Sequence, residues 1–212
     1  DFFVNAGYRV YALDLVGFGI SEQPGSNKQK NLDNFFWSKQ VSAFLNEIVR
    51  DFHQEKAVLI GNSLGSLVAI TTAFFNAHLV KAVVASPLPD PAFMQPIVFP
   101  DIKLLDSLKA LLVKIFFKLL PLELLLPLIA RSPIIRIALQ FAYHQSVSND
   151  IDLFRLISVP AKRITAPRSL RAMCVGMTLR LKEFTAPYML EKLSKRFNRC
   201  PVLLIWGEKD KL

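Results

Sequence analysis

The chain has 212 residues, of which 52% are hydrophobic, enough to bury one sizeable core. Its two cysteines, Cys174 and Cys200, lie far apart and outside any metal-ligand spacing, so free thiols in a reducing compartment are expected and neither a metal nor a cofactor is. The net charge is +9, but the basic residues alternate with Leu, Ile and Phe and no nucleic-acid motif accompanies them, so a nucleic-acid partner is not expected.

The charge is unevenly placed. Residues 1–85 carry seven basic and seven acidic side chains, residues 200–212 two of each, and residues 86–199 seventeen basic against eight acidic. A neutral frame therefore holds a basic insertion. There is no initiator Met, Asp1 to Gly7 read as the tail of a helix already under way, and Gly207 to Leu212 follow an apolar run without a stop signal. Both ends are expected to be cut, which leaves targeting signals unreadable.

In chain order, the first apolar run is Arg9–Leu15 (RVYALDL), expected as a buried strand. Leu32–Phe52 follows with helical spacing at Phe35, Phe36, Val41, Phe44, Leu45, Ile48 and Val49. Ala57–Ile60 is a second strand, Leu64–Ala77 an apolar helix, and Val80–Ala85 a third strand. Strand–helix–strand alternation implies a mostly parallel sheet covered by helices on both faces.

The rhythm then breaks. From Ser86 to Cys200 there is no clear strand, and prolines divide the segment into helical pieces. In Lys103–Leu120, the residues Leu104, Leu105, Leu108, Leu111, Leu112, Ile115, Phe116 and Leu119 form an apolar stripe, with Lys103, Ser107, Lys114 and Lys118 opposite. Lys109, Lys114, Lys118 and Glu123 interrupt Leu104–Ala130, so no membrane span is expected there. A last strand, Val202–Trp206, returns the chain to the sheet. The expected organisation is a core in residues 1–85, a helical cap in 86–199 and a second piece of core in 200–212.

The chemistry concentrates at Gly61-Asn62-Ser63-Leu64-Gly65, a G-x-S-x-G pattern directly after a strand and directly before a helix. That is the setting of a nucleophile elbow, a bend so tight that glycines are needed two positions either side of the serine. It lifts the Ser63 hydroxyl to a helix N-terminus, where negative charge is favoured, and leaves the backbone N–H of Leu64 as an oxyanion donor. A serine needs a base, and the base an orienting acid. Asp210, after the strand and Gly207-Glu-Lys, would reach the same sheet edge; Asp90, beyond Val80–Ala85, is the competing acid. His53 and His78 belong to the opposite edge and His144 to the insertion, so none is read as the base. In the order Ser, acid, His, the histidine would follow Asp210, after which two residues remain.

Three motifs stand together here: Asp14-Leu-Val-Gly17-Phe-Gly19-Ile-Ser21, Gly61-Asn-Ser-Leu-Gly-Ser66 and Trp206-Gly-Glu-Lys-Asp210. In this order and spacing they resemble those of the α/β-hydrolases, and the resemblance runs from end to end. It implies an α/β-hydrolase fold with 86–199 as the cap, without the family's N-terminal strands, first oxyanion loop and C-terminal histidine. It also gives Asp14, Gly17, Gly19 and Ser21 a structural role near the pocket. The GNSLG motif with His78-Leu-Val-Lys-Ala-Val-Val84 is similar to the pheophytinase and chlorophyll dephytylase group, which implies a plastid or thylakoid setting; otherwise a cytoplasmic one is expected.

Hydrolysis of a hydrophobic acyl or isoprenoid ester by Ser63 and Asp210 is the leading expectation. Its alternatives are another reaction class on the same fold (thioester, C–C bond or haloperoxidase-like) and a non-catalytic truncated product. The cap's apolar stripe is expected to pack on the hydrolase core with its lysines solvated; contact with an anionic membrane surface is the second reading.

Overall fold

The computed structural model describes residues 2–24, 32–50, 55–86, 103–131, 135, 137, 150–195 and 200–208. A single helical turn, α1 (Phe2–Asn5), opens it. Residues 8–15 follow without regular secondary structure and largely exposed, so the strand expected at Arg9–Leu15 is not formed. A strand exists through its ladder partners, and no neighbouring strand pairs with this segment among the described residues.

The next turn, by contrast, is tightly bonded. An oxygen of the Asp14 carboxylate accepts the Ile20 N–H at 2.9 Å, and the Ser21 hydroxyl donates to the Asp14 carbonyl at 2.6 Å. Gly19, at φ 51°, sits so close beneath that carboxylate that a Cβ would overlap it. Gln40 clamps the turn from outside, accepting the Val16 N–H at 2.9 Å and donating to the Asp14 carbonyl at 3.1 Å.

Helix α2 (Asn34–Phe44) starts where the half-buried Asp33 accepts the Phe36 N–H at 2.7 Å; partial burial raises that carboxyl's pKa, and the Phe36 hydrogen bond opposes the rise. The helix widens into π-type turns over Leu45–Arg50. Its fully buried Trp37 donates to the Val16 carbonyl at 2.9 Å, tying helix to turn.

Strands β1 (Ala57–Asn62) and β2 (Val80–Ser86) are parallel, with Val58 opposite Ala82 and Asn62 opposite Ser86. Parallel neighbours need a crossover, which α3 (Leu64–Phe75) supplies. Strand β3 (Val202–Leu204) adds in parallel to β2, giving the order β1-β2-β3. The row Leu59, Val83 and Val202 belongs to the packed face of the sheet, whereas Ile60 and Leu203 in the next row are exposed. Leu67, Val68, Ala69, Ile70 and Ala73 bury α3 between sheet and helices, and Thr71 and Thr72 hide their hydroxyls on the Leu67 and Val68 carbonyls.

Between β2 and β3 the described chain is helical: α4 (Lys103–Leu119), α5 (Leu122–Arg131), α6 (Ile151–Ala161), α7 (Ala166–Leu179), a 3₁₀ turn (Lys182–Phe184) and α8 (Ala186–Ser194). Helix α7 is the hub, since α4, α5 and α6 pack on it. It joins the core at Gly176, whose missing Cβ leaves room for the Leu32 backbone, and at the Ala172 carbonyl, which accepts the Leu32 N–H at 3.3 Å. Helix α8 packs on α3, and Phe184 stacks on Phe35 with centroids 4.7 Å apart.

Among the described residues, the stripe expected to pack on the core does not. The half-buried residues of α4 are Lys109, Ala110, Val113 and Phe117, followed by Leu120 just past its end, whereas Leu108, Leu111, Leu112, Ile115, Phe116 and Leu119 are exposed. The α7 side chain Arg171 fixes this orientation. It donates to the carbonyls of Phe117 (2.8 Å) and Leu120 (3.1 Å) and makes a two-pronged contact with Glu123 at 2.7 and 2.9 Å. The stripe is thereby turned away from α7. Leu104 and Leu105 lie outside the described side chains.

Candidate active site

Strand β1 hands over to α3 through one residue, Ser63. Its backbone has φ 53° and ψ −123°, and it is the only described residue other than glycine with positive φ. Such a conformation costs on the order of 1–3 kcal/mol and persists only where the surroundings impose it. Three contacts impose it here. The Ser63 N–H donates to the Ser86 carbonyl at 3.1 Å, locking the bend to the end of β2. The Ser63 carbonyl accepts the N–H of Ser66 at 2.9 Å and of Leu67 at 3.4 Å, so the helix starts at once. Gly61 lies so near the backbone of Gly65 that a Cβ would overlap it.

The second glycine has a different standing from the one expected of it. A Cβ on Gly65 meets nothing within 4 Å, so the bend demands a small residue at 61 and not at 65.

The result is an exposed hydroxyl at the N-terminus of a buried helix. The helix dipole places partial positive charge there. Among the described residues the N–H of Leu64, in the first position of the helix, donates to no acceptor.

One contributor was not singled out from the sequence. Ser66, fully buried, accepts the Ser86 N–H at 2.9 Å and donates to the Gly61 carbonyl at 2.8 Å. One hydroxyl thus ties the ends of β1 and β2 beneath the bend. It stands in the quoted Gly61-Asn-Ser-Leu-Gly-Ser66 run, but a serine in the first turn of a helix gives no signal that it faces inward.

Parallel pairing brings the carboxyl ends of all three strands to this edge. Asn62 is opposite Ser86, Ala85 is opposite Leu204, and the Ile205 N–H donates to the Ala85 carbonyl at 2.9 Å. Residues 205–208 continue exposed from that point. Asp210 and Asp90 both lie outside the described residues, as do His53 and His144. His78 is exposed in the turn after α3, a 12-residue helix about 18 Å long, so the fold does not bring it to Ser63. Asp14, Gly17, Gly19 and Ser21 form the bonded turn described above.

Among the described residues no cluster of His, Cys, Asp or Glu could hold a metal ion. Cys174 is half-buried and Cys200 buried, both as free thiols, and burial raises both pKa values away from the reactive thiolate.

The family model described as serine aminopeptidase, S33, a family of α/β-hydrolases, matches residues 1–212. Among solved structures, the ligand-free epoxide hydrolase CorEH is similar at 21% identity and a TM-score of 0.53, over 92% of this chain and 64% of that one. The chain thus spans less than two thirds of that enzyme's length, and the likeness is one of fold. A thermophilic esterase from Thermogutta terrifontis, with malate bound, aligns at 14% identity and a TM-score of 0.49, over 91% of this chain and 69% of its own.

Proposed function

From the premise that this chain belongs to the serine aminopeptidase, S33 family of α/β-hydrolases, we propose that its protein hydrolyses hydrophobic esters with Ser63 as nucleophile. The single observation behind this reading is the left-handed backbone of Ser63 at an exposed strand-to-helix bend.

In the proposed reaction the Ser63 Oγ adds to the ester carbonyl while its proton passes to a histidine base, downstream of Asp210 in the whole protein. The Asp210 carboxylate orients that histidine, and the Leu64 N–H binds the oxyanion. The alcohol then leaves with the proton from the histidine, and water releases the acid from the acyl-enzyme by the reverse sequence. An acyl or isoprenoid ester, the phytyl type included, suits the quantity of apolar side chain on the helices between β2 and β3.

The test uses full-length protein, a fluorophosphonate probe and a panel of esters graded in chain length, with phytyl esters and a thioester included. Ser63→Ala is expected to remove labelling and to lower turnover by about 10⁴-fold or more. Asp210→Asn is expected to cost far more than Asp90→Asn. Labelling that survives Ser63→Ala sinks the assignment of the nucleophile. A thioester turned over faster than any oxygen ester sinks that of the substrate.

A further inference from the structure

Exposed apolar residues scattered singly are ordinary, but a continuous stripe is not. Along α4 the exposed residues Leu108, Leu112, Ile115 and Leu119 recur at spacings of four, three and four, with Leu111 and Phe116 at either margin. Leu119 retains 76% of its surface and Leu112 57%. The inward side of the helix is occupied, since Ala110, Val113 and Phe117 are half-buried where it packs on α7. Among the described residues the stripe therefore has no part in holding α4 in place. On α5 the pattern continues outward with Leu124, Leu125, Leu128 and Ile129.

Charge separates the surfaces that could cover it. By helical spacing, the exposed Lys114 and Lys118 run along one border of the stripe and the half-buried Lys109 stands at the other. Of the acids on α4 and α5, Asp106 falls on the side away from the stripe and Glu123 is held by Arg171, which leaves Lys114 and Lys118 as the exposed charge along that border. Two copies meeting stripe to stripe would oppose lysine to lysine, which disfavours self-association. An apolar face bordered by lysines instead fits a plane that is greasy within and negative at its surface.

We infer that the outward face of α4, continued by α5, docks on an anionic lipid bilayer. Helix α4, with 17 residues about 25 Å long, lies along the surface. Its leucines enter the boundary between headgroups and acyl chains while Lys114 and Lys118 meet lipid phosphates. Among the described residues no helix is long and apolar enough to cross a membrane, in keeping with peripheral contact at this face.

The inference stands apart from the catalytic proposal, so it is tested on full-length Ser63→Ala protein, where catalysis plays no part. Vesicle flotation is read with neutral phosphatidylcholine and with about one part in four phosphatidylglycerol. Binding to the acidic vesicles is expected to be roughly tenfold stronger at low salt and to weaken as salt is raised. Lys114→Glu with Lys118→Glu is expected to remove that preference. Leu112→Asp with Ile115→Asp is expected to abolish binding to both vesicle types without moving the melting temperature.

Equal binding to both vesicles, or binding that survives the leucine and isoleucine changes, overturns the inference. Lost vesicle binding together with a lower melting temperature means the stripe is buried in the whole protein, and overturns it too. So does a dimer in light scattering that Leu112→Asp dissolves, which would make a second copy the occupant.

Discussion

Ile70 in α3 and Leu112 in α4 are both large aliphatic residues in mid-helix, yet Ile70 is 0% exposed and Leu112 57%. The difference lies in their surroundings. Helix α3 has the sheet on one side and α2 and α8 on others, so nearly every direction from its axis ends in protein. Helix α4 leans on α7 with its smaller and half-buried residues, under the grip of Arg171, and presents its largest ones outward. In the first region the fold consumes hydrophobicity to hold a strained serine. In the second it leaves hydrophobicity available.

The comparison can be broken at several points. The largest effect is expected from Gly61→Ala. Its new Cβ must displace the Gly65 backbone, so unfolding at least about 4 kcal/mol easier and loss of probe labelling are expected from denaturant melts. Next, Ile70→Ala should cost about 3 kcal/mol, while Leu112→Ala should stay within about 0.5 kcal/mol of the parent. Equal costs would mean that α4 is as enclosed as α3.

Ser66→Ala leaves the N–H of the half-buried Ser86 without its acceptor and is expected to cost about 2 kcal/mol. If Ser66 also positions Ser63, the labelling rate constant falls further than the lost folded fraction explains, and Ser66→Thr restores part of it. The smallest effect belongs to the latch. Arg171→Met should raise hydrogen exchange in residues 106–130 by roughly tenfold and leave β1 and α3 unchanged.

Acid acts on the same contact. The hydrogen bonds from Arg171 hold the Glu123 carboxyl down at about 2, below its ordinary 4.5. A depressed carboxyl adds stability that is fully present above the ordinary value and lost as pH falls through the folded one. Protection of the α4 amides, taken relative to the intrinsic exchange rate at each pH, should therefore stay high at pH 5 and fall between about pH 4 and pH 2, with the Glu123→Gln protein already poorly protected at neutral pH.

Much of the core was legible. The run AVLIGNSLGS carries strand, bend and helix in ten residues, because each has a strong local signature: β-branched runs, small residues at the tip and apolar helical spacing. Arg9–Leu15 misled, since its composition is that of a strand but pairing is a property of neighbours. The stripe on α4 misled in another way. Periodicity located its apolar side correctly, but which side of a helix touches the fold depends on partners distant in sequence, here Arg171 on α7. Ser66 went unnoticed because hydroxyls carry no periodic signal, and Gly65 was overread because a motif does not tell a crowded glycine from an open one.

The pairing of β2 with β3 has a temporal consequence. Ala85 and Leu204 sit side by side in register, 119 positions apart along the chain. Closing so long a loop in a random coil is slow and entropically costly, and compaction of the intervening helices shortens the distance to be searched. On the ribosome, β1, α3 and β2 emerge long before β3 exists. The serine bend can therefore form early, and the last strand of the described sheet joins only after the helices have brought its two flanks together.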